Sequence, residues 1–223
     1  MKKTFTILLT IIVLLILTVV GLNLSNHRVN LNQLQFNRLT TRTTTINQLD
    51  QLSLNVRTAK LTIKPGRVNK ITLQHTAANE FKLTHQAGTL KLQQTDAGQH
   101  QLEIGKSPII TITVTNPHQL KAINGQLLNG TLSLSQLTTR TLALKHLNGT
   151  TLINHLTVTH GGYFTKTNGR TDLQRLTANG LNVTIKNGQF KLNGKPQAKI
   201  YRQVGTHPLT VTSQNGQLSL TTN

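Results

Sequence analysis

Residues 131–160 read TLSLSQLTTR, TLALKHLNGT, TLINHLTVTH. Thr131, Thr141 and Thr151 recur every ten residues, and Leu132, Leu142 and Leu152 follow them in step. Leu134 is matched by Leu144 and Leu137 by Leu147, with Leu156 one place early in the third copy. Within each unit the apolar residues alternate and then skip two places. That is the pattern of a short strand with one face inward, followed by a bend. A unit this short cannot close a core alone, so successive copies must stack and bury one another. The spacing predicts an all-β repeat in which Leu132, Leu142 and Leu152 line up inside successive layers.

Toward the C-terminus the spacing drifts while the alternation persists, through TDLQRLTANG, LNVTIKNG, QFKLNG, AKIYRQV, PLTVTSQNG and QLSLTTN. Asn-Gly pairs begin at 124, 129, 148, 168, 179, 187, 193 and 215. Asn-Gly supplies the positive φ of tight bends, so each pair marks an expected corner. A sandwich or a meander would use such pairs in hairpins. The fixed offset of like residues favours a solenoid of stacked turns. Toward the N-terminus, LSLNV and KLTIKPG alternate from Leu49 onward, with Pro65-Gly66 as a turn. The pairs Ile71/Leu73, Phe81/Leu83, Leu90/Leu92 and Leu102/Ile104 continue the pattern, and PIITITVT ends at Asn116-Pro117. The ectodomain is therefore placed at residues 49–223.

Residues 25–48 are polar, with scattered Val29, Leu31, Leu34, Phe36 and Leu39 and a threonine cluster at 40–45. They read as a stalk, either with a short ordered piece near 31–39 or disordered. Before them, residues 4–24 carry no charge. About 20 apolar residues are what a bilayer core requires. A cleaved signal peptide is the competing reading, but the run exceeds its usual apolar length of about 7–15 residues and no A-x-A site follows. Residues 1–24 are thus expected as one membrane span. Lys2 and Lys3 favour a cytoplasmic N-terminus with the C-terminal domain extracellular, although Arg28, Arg38 and Arg42 on the other side weaken that bias.

The chain has no cysteine and no tryptophan, which removes disulfides and thiolate chemistry. It carries 24 Lys+Arg against 5 Asp+Glu. Past residue 24 the balance is 22 minus 5, or +17. Such a surface attracts polyanions.

At residues 46–76, INQLDQLSLNVRTAKLTIKPGRVNKITLQHT, the sequence resembles the opening of the DUF4097 β-strand-repeat family of adhesin-like proteins. The stretch Leu120–Gly130 and the Asn-Gly-punctuated repeats that follow are similar to that family's x-G-x-[LIV]-x-[LIV] series. The resemblance spans about 46–223. It implies a right-handed β-solenoid-like repeat domain, often behind a single N-terminal transmembrane helix on the outer face of a Gram-positive membrane. It also implies relatives near envelope-stress systems. The turns of this chain carry Asn, Lys and Arg where that family often has Asp and Ser, and the family supplies no catalytic residues.

The residues offer little catalysis. Glycoside hydrolysis uses two carboxylates, and only Asp50, Glu80, Asp96, Glu103 and Asp172 are present, with Asp96 and Glu103 able to meet across a hairpin. A polysaccharide-active enzyme is the third reading. No metal or cofactor set is expected: His146, His155 and His160 lack a supporting carboxylate and read as surface histidines. Specific nucleic-acid binding is not expected either, since two Tyr and five Phe provide few stacking platforms. What remains is contact with teichoic acid or other anionic envelope polymers. The candidate contacts are Lys60, Lys64, Arg67 and Lys70, together with Lys186, Lys191, Lys195, Lys199 and Arg202. The leading expectation is a membrane-anchored binding or scaffold protein of the cell envelope. An accessory component of an envelope-stress system, acting through a membrane protein partner, is the alternative.

Overall fold

The computed structural model describes residues 2–222. Helix α1 (Lys2–Leu24) is apolar on every side, and Leu22, packed at its C-terminal end, is its one buried residue. It is long and apolar enough to cross a membrane, a test that an N-terminal signal sequence also passes. No tertiary partner covers the preceding turns, so water is a poor solvent for this helix.

Strands β1 (His27–Asn30) and β2 (Gln35–Arg38) follow, then β3 (Thr40–Thr45), β4 (Gln51–Pro65) and β5 (Lys70–Thr76). The chain continues through β6 (Phe81–Gln86), β7 (Thr89–Gln94), β8 (Glu103–Gly105) and β9 (Ile109–Val114). The stretch expected as a polar stalk at 25–48 is therefore folded onto the domain. β1 pairs antiparallel with β2 and β8. The threonine run of β3 pairs antiparallel with β5, where β-branched residues suit an exposed edge. No hydrophobic period announced it, because an edge strand with little buried surface needs none.

β4 joins two architectures. On one side its first half pairs with β7 and its second half with β9, and hairpin partners extend that side as an antiparallel cap. On the other side it pairs in parallel with β10 (Leu120–Val158), the first of the stacked coils. β10 makes two coils, and its second half pairs in parallel with β11 (Gly162–Ala178). Next come β12 (Leu181–Leu192), the short strands β13 (Lys195–Gln197) and β14 (Ile200–Gln203), and β15 (Leu209–Thr222). The last strand enters between β11 and β12, in parallel with both. β13 and β14 then cover the outer edge of β12 in antiparallel pairing.

Five of the eight Asn-Gly pairs form one corner of the solenoid. Asn148 donates to Asn129, Asn168 to Asn148, Asn215 to Asn168 and Asn187 to Asn215, over 2.8–3.0 Å. The glycines after them have φ between 110° and 129°. A Cβ on Gly149 would lie 2.0 Å from the carbonyl oxygen of Gly130, so only glycine lets the coils stack here. Asn193-Gly194 is instead a hairpin turn between β12 and β13.

This corner corrects the ten-residue reading. From Asn129 to Asn187 the coils are 19 or 20 residues long, so a ten-residue unit is half a coil. The last, from Asn187 to Asn215, is 28 because it carries β13 and β14. Counting from the corner, Leu132 lies three residues after Asn129, but the residue three after Asn148 is Thr151. Leu132 and Leu142 are buried, whereas Leu152 is 40% exposed and Thr151 takes the inward place. In the AKIYRQV stretch, Ile200 pairs with outward Thr184 and is exposed, while its neighbour Tyr201 packs on the core.

Candidate functional site

All nine candidate polyanion contacts are exposed. The structure brings them together in two groups, not one stripe. Lys60 and Lys64 project from β4, Arg67 from the following turn and Lys70 from the start of β5. Lys186 and Lys191 project from β12, Lys195 from β13 and Arg202 from β14, with Lys199 between the last two. Five interstrand steps separate β4 from β12, roughly 24 Å at 4.8 Å each. On the intervening face Arg170 is tied to Asp172 at 2.7 Å. The two groups lie beyond a screening length of about 8 Å at physiological salt, so they add up only for a ligand long enough to touch both.

The carboxylates lie elsewhere. Glu80, Asp96 and Glu103 line a cleft of about 360 Å³ in the N-terminal cap, with Arg28, Arg57 and a ring of amides that includes Asn30, Gln33 and Gln101. Asp96 and Glu103 both line this cleft, but β8, which carries Glu103, pairs with β1 and forms no hairpin with the Asp96 turn. Both are also engaged. Glu103 Oε1 accepts from Arg57 Nη2 at 2.9 Å and lies 3.8 Å from Arg28 Nε. Asp96 Oδ2 accepts from the amides of Gln101 and Gln33 at 3.3 and 3.5 Å. Glu80 pairs with Arg28 and accepts from the backbone of Ala77 and the amide of Gln94. Gln94 in turn accepts from the backbone N–H groups of Arg57 and Thr58. These links tie β1, β4, β7 and β8 together, and a cleft so wired is a clasp of the cap more than a place for acid–base exchange. Residues 28, 57, 80 and 103 are far apart in sequence, and each reads alone as a solvated charge.

The histidines divide. His160 stacks on His207 with ring centroids 5.2 Å apart, on an exposed edge near Arg140. Partial desolvation, then Arg140 and His207, lower its pKa. His155 contacts Arg175 on the same side of the solenoid. His146, expected on the surface, is fully buried. Its pKa is lowered to about 4 by burial, then by Lys166, with a bond to the Asn148 carbonyl acting in opposition. Lys166 is also fully buried, and burial lowers its pKa to about 8. Both residues sit two places before a corner asparagine, at Asn148 and Asn168, the place that Leu127 takes before Asn129 and Ile185 before Asn187. That register is the signal by which the sequence marks them as inward. Among the described residues no group of three or more His, Asp or Glu side chains is placed to hold a metal.

An N-terminal apolar helix, an antiparallel cap and a stack of parallel coils with an asparagine corner define an all-β, solenoid-like repeat protein. The sequence profile of the Toastrack DUF4097 family matches residues 49–223, and the chain belongs to that family. A candidate cell adhesion protein from Clostridium sporogenes has a similar solved structure, with a TM-score of 0.64 at 13% identity, covering 83% of this chain and 100% of that one. A candidate adhesin from Bacteroides fragilis aligns at a TM-score of 0.36 and 11% identity over 81% of this chain and 96% of its own. A candidate lipid binding protein from Parabacteroides distasonis aligns at 0.34 and 8% over 82% and 94%. No curated protein matches the chain. The first of these likenesses is one of fold.

Proposed function

We propose that this protein is a binding or scaffold component of a cell envelope, held by α1 as a single span with the C-terminal domain outside. In this reading the two basic ends of its solenoid engage anionic envelope polymers such as teichoic acid. The observation that carries the proposal is how charge is spent. Among the described residues, ion pairs occupy Arg28, Arg57, Lys121 and Arg170 and take Asp50, Glu80, Glu103 and Asp172. Lys121 donates to Asp50 and lowers its pKa, so that acid is committed as well. The nine candidate cations stand exposed outside all of these pairs. Exposed ammonium groups with no local carboxylate attract phosphate-rich polymers at close range.

The length of α1 supports the anchor. Its 23 residues span about 35 Å at 1.5 Å per residue, against a hydrocarbon core of about 30 Å. The test is binding of purified teichoic acid to the full chain in nanodiscs of zwitterionic lipid. Binding at 50 mM salt that weakens at least tenfold by 500 mM supports the proposal. No binding at either salt concentration contradicts it.

A further inference from the structure

Apart from Thr139, whose hydroxyl donates to the Thr141 carbonyl, the described interior of the solenoid coils is apolar except across three successive coils. Two residues before the corner, the coils from β4 to β12 place Val56, Leu127, His146, Lys166, Ser213 and Ile185. Three residues after it, they place Leu61, Leu132, Thr151, Thr171, Leu218 and Phe190. His146, Thr151, Lys166, Thr171 and Ser213 thus form a continuous polar segment, and each has 0% of its surface exposed. Apolar side chains close it off on both sides.

The hydrogen bonds within it do not balance. His146 Nε2 donates to the Asn148 carbonyl at 2.9 Å, which leaves Nδ1 as an acceptor. Its single lone pair is approached by both Thr151 Oγ1 at 2.7 Å and Lys166 Nζ at 3.0 Å, so the two share one acceptor. That uses one of the three N–H groups of the Lys166 ammonium. Thr171 Oγ1 and Ser213 Oγ are buried with no partner. Every group left over can donate, and none carries negative charge. Asp172, next to Thr171 in sequence, is spent on Arg170. An ammonium buried without a counter-charge is among the costliest arrangements in a protein interior.

We propose that this segment is a built-in site for one small monovalent anion of the halide class, held by Lys166 Nζ, Thr171 Oγ1 and Ser213 Oγ. A halide accepts from all three and cancels the charge. A water molecule would satisfy the hydroxyls and leave the charge uncompensated. Size points the same way. Lys166 reaches toward His146, and on its other side the coil carries Ser213 where the next one carries Ile185. Serine in place of isoleucine is smaller by about two heavy atoms, less than a phosphate or sulfate would need. Burial works against the charge and lowers the Lys166 pKa to about 8, a shift that an anion beside Nζ would oppose.

The direct test is diffraction from crystals of the full chain refolded in sodium bromide. A bromide anomalous peak in contact with Lys166 Nζ, absent from Lys166→Met, supports the site. Ordered water alone at that place, or no density, overturns it. In parallel, the Tm of the full chain in detergent at pH 7 is measured against chloride, with gluconate holding ionic strength constant. The site predicts a Tm that rises with the logarithm of chloride concentration, and Lys166→Met should abolish that slope. An unchanged slope in the variant contradicts the proposal. Should Lys166→Met fail to fold, Thr171→Val with Ser213→Ala provides the same comparison, with a reduced slope expected.

Discussion

The two ends of this molecule use charge in opposite ways. At the N-terminal cap, Arg28 and Arg57 are buried against Glu80 and Glu103, and the charges hold β1, β4, β7 and β8 in place. At the C-terminal end, Lys186, Lys191, Lys195, Lys199 and Arg202 face solvent with no ion pair among the described residues. A net charge of +17 is thus not one property spread over a surface. The cap spends Arg28 and Arg57 on structure while Lys60, Lys64, Arg67 and Lys70 beside it stay exposed, and at the far end none of the five cations is spent on an ion pair among the described residues.

The largest expected effect breaks the cap. Glu80→Ala leaves buried Arg28 with only Glu103, 3.8 Å from its Nε, as counter-charge and should cost about 3 kcal/mol in chemical denaturation. Loss of under 1 kcal/mol would mean that the cap clasp is ornamental. A second effect, in the coils between the two ends, is set by pH. His146 titrates at about 4 in the folded chain against 6.5 for an unperturbed histidine. The unfolded chain therefore binds the extra proton first as pH falls below 6.5. Stability should drop by about 3 kcal/mol between pH 6.5 and 4, and His146→Leu should flatten that window. Lys166, at about 8 against 10.5, acts in the same direction at higher pH, with stability rising from pH 8 to 10.5. A bound anion would hold this lysine charged and blunt the rise. A smaller effect belongs to the corner. Asn168 donates to Asn148 and accepts from Asn215, so Asn168→Ala should cost about 1–2 kcal/mol by thermal melting.

The stacked coils were legible in the sequence because alternation and Asn-Gly pairs are local signals. The coil length was not. A ten-residue phrase repeats equally well at half-coil spacing, and the slip from a 20- to a 19-residue coil moved Leu152 outward without changing the look of the repeat. The order of the final coils was also hidden, since β15 between β11 and β12 has the same local pattern that it would have at the end. Lys60, Lys64, Lys70, Lys186 and Lys191 were legible as exposed, because each alternates with an inward apolar neighbour, whereas Arg67, Lys195 and Lys199 have no such neighbour. Their division into two groups depends on which coil each occupies, and only the stacking order gives that. The buried Lys166 and His146 become readable once the corner register is known. The cap cleft does not, because it is assembled from residues scattered between 28 and 103.

The smallest expected change in stability accompanies the most informative change in binding. Replacing Lys191, Lys195, Lys199 and Arg202 together by glutamine should shift unfolding by no more than about 0.5 kcal/mol per site. The same variant, as the full chain in zwitterionic nanodiscs at 50 mM salt, is measured for affinity to teichoic acid. The account predicts at least a tenfold loss, exceeding that of an Arg38→Gln, Arg42→Gln control. Equal affinity for the variant and the unmodified chain would contradict it.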